Sequence, residues 1–174
     1  MREKQMTEIN EFREAKDHFF RHDHQAPLTR EQQATFDGLN YYKECDDLKY
    51  VIEPDLIDGH DIIEMQTSAG DVTSYQRWGT ISFDLKGAPA KLTLYRGDHG
   101  GEFFLPFVDG TSGKETYGAG RYLDVEQTHD GKIVVDFNYA YNPYCAYNDK
   151  WSCPLTPFEN HIQVPIRAGE KNFK

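Results

Sequence analysis

The spacing of apolar positions changes period once along the chain. From Met6 to His22, Ile9, Phe12, Ala15, Lys16, Phe19 and Phe20 fall near one face with charges opposite, which predicts an amphipathic helix. Pro27 ends that region. Thr29 then offers an N-cap with Gln32 three positions on, a capping-box spacing, so a short helix over Arg30–Phe36 should follow and stop at Gly38. From Asn40 onward the pattern alternates with period two. Strands are expected at Tyr41–Lys43, Lys49–Glu53, Asp61–Thr67, Thr73–Leu85, Ala90–Tyr95, Glu102–Phe107, Arg121–Glu126, Lys132–Tyr139 and His161–Ile166. Short Gly, Asp and Pro turns separate several of them, as in antiparallel hairpins. The pattern predicts a mainly β fold: an antiparallel β-barrel or roll with one or two N-terminal helices packed against it. Residues 1–174 read as a single domain, with 1–38 the helical segment and 39–174 the barrel or roll.

Composition narrows the classes. A formal net charge of -10 disfavours nucleic acid and anionic membrane surfaces as partners. No apolar run approaches the roughly 18 residues of a membrane span. The N-terminus carries charges where a signal peptide needs its apolar region, so a cytoplasmic protein is expected. Three cysteines argue against a secreted disulfide scaffold. Aromatics make up 14% of a chain whose mean hydropathy is only -0.76, so the core should be built largely from rings.

Chemistry concentrates in two stretches. The first is the run Asp136–Lys171, which holds Cys145, Cys153 and a cluster of Asp, Asn and Glu. Seven residues separate the two cysteines, against two to four in compact zinc chelates, so they are weak metal candidates, with His161 a conceivable third ligand. Two small buried residues is the simpler reading. Asp136 and Asn138 would share one strand face, and if that face lines the interior they must meet partners or a ligand. Asn142, Glu159 and Asn160 could point toward the same opening, although turn chemistry is the simpler reading of the two asparagines. The second stretch is the Gly-rich loop Asp109–Tyr122. It is no phosphate-binding P-loop: Val108 stands where the first Gly belongs and Glu115 where the hydroxyl residue belongs. Lys114 and Arg121 could hold an anionic group there, and Glu115 could act as acid or base. No G-x-S-x-G and no dinucleotide glycine fingerprint occurs.

These stretches resemble a family of bacterial and archaeal proteins known as a domain of unknown function, DUF1684. The similar segments are Leu105–Phe107 with Asp109–Asp124, Asp136–Asn138 through Asn142-Pro143, Cys145–Tyr147, Cys153–Leu155, Glu159-Asn160, Val164–Ile166 and Ala168–Glu170. The family pattern often carries another residue where this chain has His161. The resemblance implies no activity and transfers no catalytic residue. It implies only that the Gly-rich loop and the C-terminal run belong together.

Two functional expectations follow. One is a small-molecule pocket at a barrel mouth. Asp136 and Asn138 would form its floor and Glu115, Tyr117, Arg121 and Tyr122 its rim, with no cofactor required. Any reaction there would be hydrolysis or proton transfer using Glu115 or Asp136. Lys114, Asn142 and Glu159 complete the expected ligand contacts. The alternative is a non-catalytic interaction module or a homodimer with an aromatic C-terminal cap.

Overall fold

The computed structural model describes residues 6–59 and 61–173; Met1–Gln5, where the N-terminal reading began, lie outside them. Helix α1 spans Glu8–His22, with the Thr7 hydroxyl accepting from the Asn10 amide. Helix α2 is the short Arg30–Thr35, and its capping box is formed as expected: the Thr29 side chain accepts from Gln32 N while the Gln32 side chain accepts from Thr29 N. The strands are β1 (Lys49–Ile52), β2 (Asp55–Leu56), β3 (Ile62–Gln66), β4 (Val72–Leu85), β5 (Ala88–Gly97), β6 (Gly100–Phe107), β7 (Arg121–Gln127) and β8 (Ile133–Asp136). Among the described residues no helix is long and apolar enough to cross a membrane.

All strands pair antiparallel, in the order β1-β8-β7-β6-β5-β4-β2, with β3 on the free edge of β4. The sheet curls into a half-barrel, so the expected barrel or roll is present without full closure. Tyr50 of β1 reaches across the gap and donates to Asp84 O in β4 at 2.8 Å. Strand alternation fixes what faces inward. On β7 and β8, Leu123, Val125, Ile133 and Val135 are buried, and Phe137 just past β8 lies among the rings of Tyr50, Phe83 and Phe107. The same alternation sends Asp124, Glu126, Val134 and Asp136 to the outer face, under α1.

One expected strand is shortened and two are not strands. Lys132–Tyr139 stops at Asp136, because Phe137–Tyr139 turns into a 3-10 helix whose N-cap is the Asp136 side chain, accepting from Asn138 N. His161–Ile166 makes only an isolated bridge to Val108. Tyr41–Lys43 likewise contributes a single bridge, Tyr41 to Glu170. The C-terminal run instead plugs the half-barrel's end through side-chain amides.

Asn160 shows why. The β5–β6 register pairs Tyr95 with Phe104, and continuing it would set Thr93 opposite Pro106. Proline has no N–H to give. Asn160, fully buried, fills the gap: its Oδ1 accepts from Thr93 N, and its Nδ2 donates to Thr93 O and Pro106 O, each at 2.8 Å.

Candidate functional site

The Gly-rich loop and the C-terminal run do pack together, but as framework. Asp109 and Arg121 form an ion pair with both side chains fully buried, Nη2 to Oδ1 3.5 Å. Arg121 also donates to the carbonyls of Ile166 (2.8 Å), Glu170 (3.2 Å) and Ala168. Asp109 accepts from the Thr111 and Ser112 hydroxyls and from Ile166 N at 2.6 Å. Burial pushes the Arg121 pKa down and Asp109 opposes that shift. The loop folds on itself, with the amides of Lys114, Glu115 and Thr116 all donating to Thr111 O. Two glycines are required by close approach. A Cβ on Gly110 would run into Gln163 O, and one on Gly120, which has φ +101°, would lie 2.5 Å from Phe107 O.

The remaining expected site residues are scattered. Glu115 pairs with Arg167 at 3.1 Å and accepts from the Tyr42 hydroxyl at 3.0 Å. The Arg167 bond and then the Tyr42 bond hold its carboxyl below the usual range, which suits an ion-pair partner rather than a general acid. Lys114 is exposed, and its carbonyl accepts from Asn172 Nδ2. Tyr122 is buried with its hydroxyl on Pro154 O. Glu159 joins Arg77 at 2.7 Å and the Tyr95 hydroxyl. Asn138 is buried and clasps the backbone of Cys45 in both directions, at 2.9 and 3.0 Å. Glu115, Arg121, Asp136 and Asn138 therefore do not converge on one pocket. The picture of a shared floor and rim is corrected: Arg121 and Asn138 pair backbone and charge in the interior, Glu115 sits in an ion pair with Arg167, and Asp136 lies on the outer face of the sheet.

Tyr117 and Asn142 do meet, at a small pocket of about 230 Å³ shared with Tyr147 and Phe173. Cys145 and Cys153 are free thiols nearby, with Cys145 N 3.4 Å from Cys153 Sγ and the Tyr117 hydroxyl 3.8 Å from Cys145 Sγ. Burial pushes the Cys153 thiol up to about 11. The His161 ring is tilted against that of Phe158, with centroids 5.3 Å apart, and its Nε2 lies 3.2 Å from Thr156 O. Among the described residues no three His, Cys, Asp or Glu side chains gather in a way that could hold a metal ion.

A larger groove than this pocket lies between α1 and the outer face of β7 and β8, with a volume of about 720 Å³. Helical spacing places Glu8, Phe12, Lys16 and Phe19 along its upper wall. Strand alternation supplies the floor: Asp124, Glu126, Val134 and Asp136. Tyr139, Tyr141 and Tyr144 close one side. Phe12, placed on the buried helix face by the sequence pattern, is 41% exposed, because its ring meets the Tyr139 edge in the groove (centroids 4.9 Å) rather than the core. Lys16 is held by Glu170 at 2.5 Å, and Glu170 also takes the Tyr147 hydroxyl at 2.6 Å and Asn142 N at 2.7 Å. Asp124 accepts from the Tyr141 hydroxyl at 3.1 Å. The groove walls withdraw enough water to raise the Asp124 carboxyl although its side chain stays open to solvent, and the Tyr141 bond opposes that rise.

Of these residues only Asp136 was singled out by sequence. Asp124, Glu126 and Lys16 were missed. The signal was present in the alternation of Tyr122, Asp124 and Glu126 against Leu123 and Val125, but an exposed polar strand face ordinarily means solvent.

Residues 34–171 match the family model described as "Protein of unknown function (DUF1684)". The chain belongs to that family. A solution NMR structure of an uncharacterized protein from Haloarcula marismortui is similar at 34% identity and a TM-score of 0.72, over 94% of this chain and 91% of that one. No curated protein matches the chain. The family match begins within α2's segment, so α1, which supplies one wall of the groove, lies before it.

Proposed function

We propose that the protein binds a small molecule in the groove between α1 and the outer face of β7 and β8. The observation that carries this reading is the cavity itself. Its 720 Å³ falls within the range of small-molecule sites, and rings with a few polar groups line it. Arg121, Asn138, Glu115 and Glu159 are spent on backbone and ion pairs, whereas Asp124 and Asp136 in the groove each keep a free oxygen. Catalysis is not part of the proposal, since Glu115 is held in an ion pair and Asp136 serves as a cap.

A thermal-shift screen of metabolites tests it. A ligand at about 100 times its Kd stabilises the folded state by ~2.7 kcal/mol, which is several degrees for a domain of this size. Val134 is 37% exposed on the groove floor, so Val134→Trp should fill the site without disturbing the core. The expected result is a hit that stabilises the wild type and not V134W. A hit that stabilises both equally would place binding elsewhere.

A second reading, an interaction module, draws on Phe158. It is 88% exposed, with Leu155 nearby in sequence at 39%. If wild type self-associates in sedimentation and Phe158→Ser does not, that surface is an interface; a monomeric wild type removes the homodimer form of this reading.

A further inference from the structure

We infer that the groove's ligand is a small organic cation, an ammonium or guanidinium carried on an apolar or aromatic body. This rests on the reading of the groove as a ligand site and names the class that site would select. Carboxylates alone would describe only a solvated acidic face. Here Glu8, Asp124, Glu126 and Asp136 rim a cavity whose other walls are the rings of Phe12, Phe19, Tyr139, Tyr141 and Tyr144. Among the described residues lining it, Lys16 is the one basic group, and its charge is already matched by Glu170. Arg13, one turn away on α1, lies over the Tyr41 ring with its guanidinium carbon 4.4 Å from the centroid, and burial lowers its pKa.

Two carboxylates are pre-oriented with an oxygen to spare. Asp136 Oδ1 takes both Asn138 bonds, from N at 3.0 Å and Nδ2 at 2.8 Å. Asp124 Oδ1 takes the Tyr141 hydroxyl. In each the Oδ2 atom is left for a ligand donor. The groove also displays the chemistry with its own lysine: Lys16 Nζ sits 5.1 Å from the Tyr141 centroid and 5.6 Å from that of Phe20, within reach of the negative ring faces. An anion would meet four like charges. A neutral molecule would fill the rings and leave the spare carboxylate oxygens of Asp124 and Asp136 without a charged donor. A cation with an apolar body answers both features.

The test compares phenethylammonium with its neutral counterpart 2-phenylethanol and its anionic counterpart 3-phenylpropionate, with tetraethylammonium as a second cation, by calorimetry at low salt. Asp124→Asn keeps the Tyr141 acceptor and Glu126→Gln changes an exposed residue, so the double variant should fold; circular dichroism checks this. The cations are expected to bind wild type, at least tenfold more weakly to the double variant, and not to V134W, while the neutral and anionic compounds do not bind. Neutral or anionic binding equal to that of the cations, lost in V134W, would overturn the cation assignment and leave the groove reading standing. Failure of both cations to bind would overturn the cation assignment, and a metabolite screen without hits would overturn the groove reading as well. Cation binding unchanged in V134W would move the site out of the groove.

Discussion

Replacing Asn160 by Ala should be among the most destabilising single changes available to this chain. The side chain is fully buried and makes three bonds of 2.8 Å: one accepted from Thr93 N and two donated, to Thr93 O and Pro106 O. Alanine removes all three and leaves a buried donor and two buried acceptors facing a gap that Pro106 cannot fill. A buried group stranded in this way costs about 1–3 kcal/mol, so the three together come to ~3–5 kcal/mol after allowing for some relaxation. Urea unfolding followed by far-UV circular dichroism measures it, with an unchanged m-value showing that the native state is intact. Asn148→Ala is the control, because Asn148 makes one exposed bond to Lys150 N and should lose less than ~0.5 kcal/mol. Asn160→Asp sharpens the argument. It keeps an acceptor for Thr93 N but sets a carboxylate against two carbonyl oxygens, so it should be at least as unstable as the alanine variant at pH 7. It should recover as pH falls and the carboxyl regains a proton to donate. An N160A loss below about 1 kcal/mol, or no acid recovery in N160D, would refute the claim that this amide stands in for the missing strand partner.

Three further outcomes are expected. Asp109→Ala strands the fully buried Arg121 and should cost ~3–5 kcal/mol in the same unfolding assay; a loss under about 1 kcal/mol would mean the three carbonyls alone satisfy the guanidinium. Tyr42 and Tyr117 are pushed up to about 12, mainly by burial, and Tyr95, Tyr122, Tyr141 and Tyr147 are raised further. A tyrosine raised in the folded state contributes stability that is whole below about pH 10 and lost as pH climbs through the folded value. Absorbance at 295 nm should therefore show several of the 11 tyrosines ionising only with alkaline unfolding, and a titration with all of them near pH 10 in native protein would contradict this. In a Cys45→Ser, Cys145→Ser background the remaining Cys153 should react with a disulfide reagent at pH 7.5 more slowly than free glutathione, since burial, the largest cause of its raised thiol, survives the loss of Cys145; equal rates would show an accessible thiolate.

The period change near Asn40 made the fold class legible, and the capping box at Thr29 and Gln32 located α2, because both are local statements about sequence spacing. Strand ends were not local. Lys132–Tyr139 keeps its alternation past Asp136, yet the chain turns there because the Asp136 side chain caps Asn138 N and Asn138 is drawn to Cys45, 93 positions earlier in sequence. His161–Ile166 alternates as well, but its neighbour Asn160 is committed to a wedge between two strands. Such distant bonds leave no trace in a hydrophobic pattern.

The same physics explains why the candidate site was misplaced. Polar residues in an aromatic, proline-rich run look functional because burying them is expensive. In this chain the expense is met by the backbone. Where proline or irregular chain leaves strand amides and carbonyls without partners, Asn138 and Asn160 supply both a donor and an acceptor from one side chain, Asn142 supplies a donor to Lys171 O, and Arg121 supplies several donors at once. A side chain spent in this way has little left for a ligand. Groups free to bind are those the fold does not need, and these sit where alternation is regular and the backbone already satisfied: the outer face of β7 and β8. There Asp124 and Glu126 are ordinary in sequence, and with Asp136 they become distinctive because α1 crosses above them with Phe12, Lys16 and Phe19. The groove is thus a property of how helix and sheet are assembled, and the substitutions that probe it should leave stability nearly unchanged, whereas those in the C-terminal run should not.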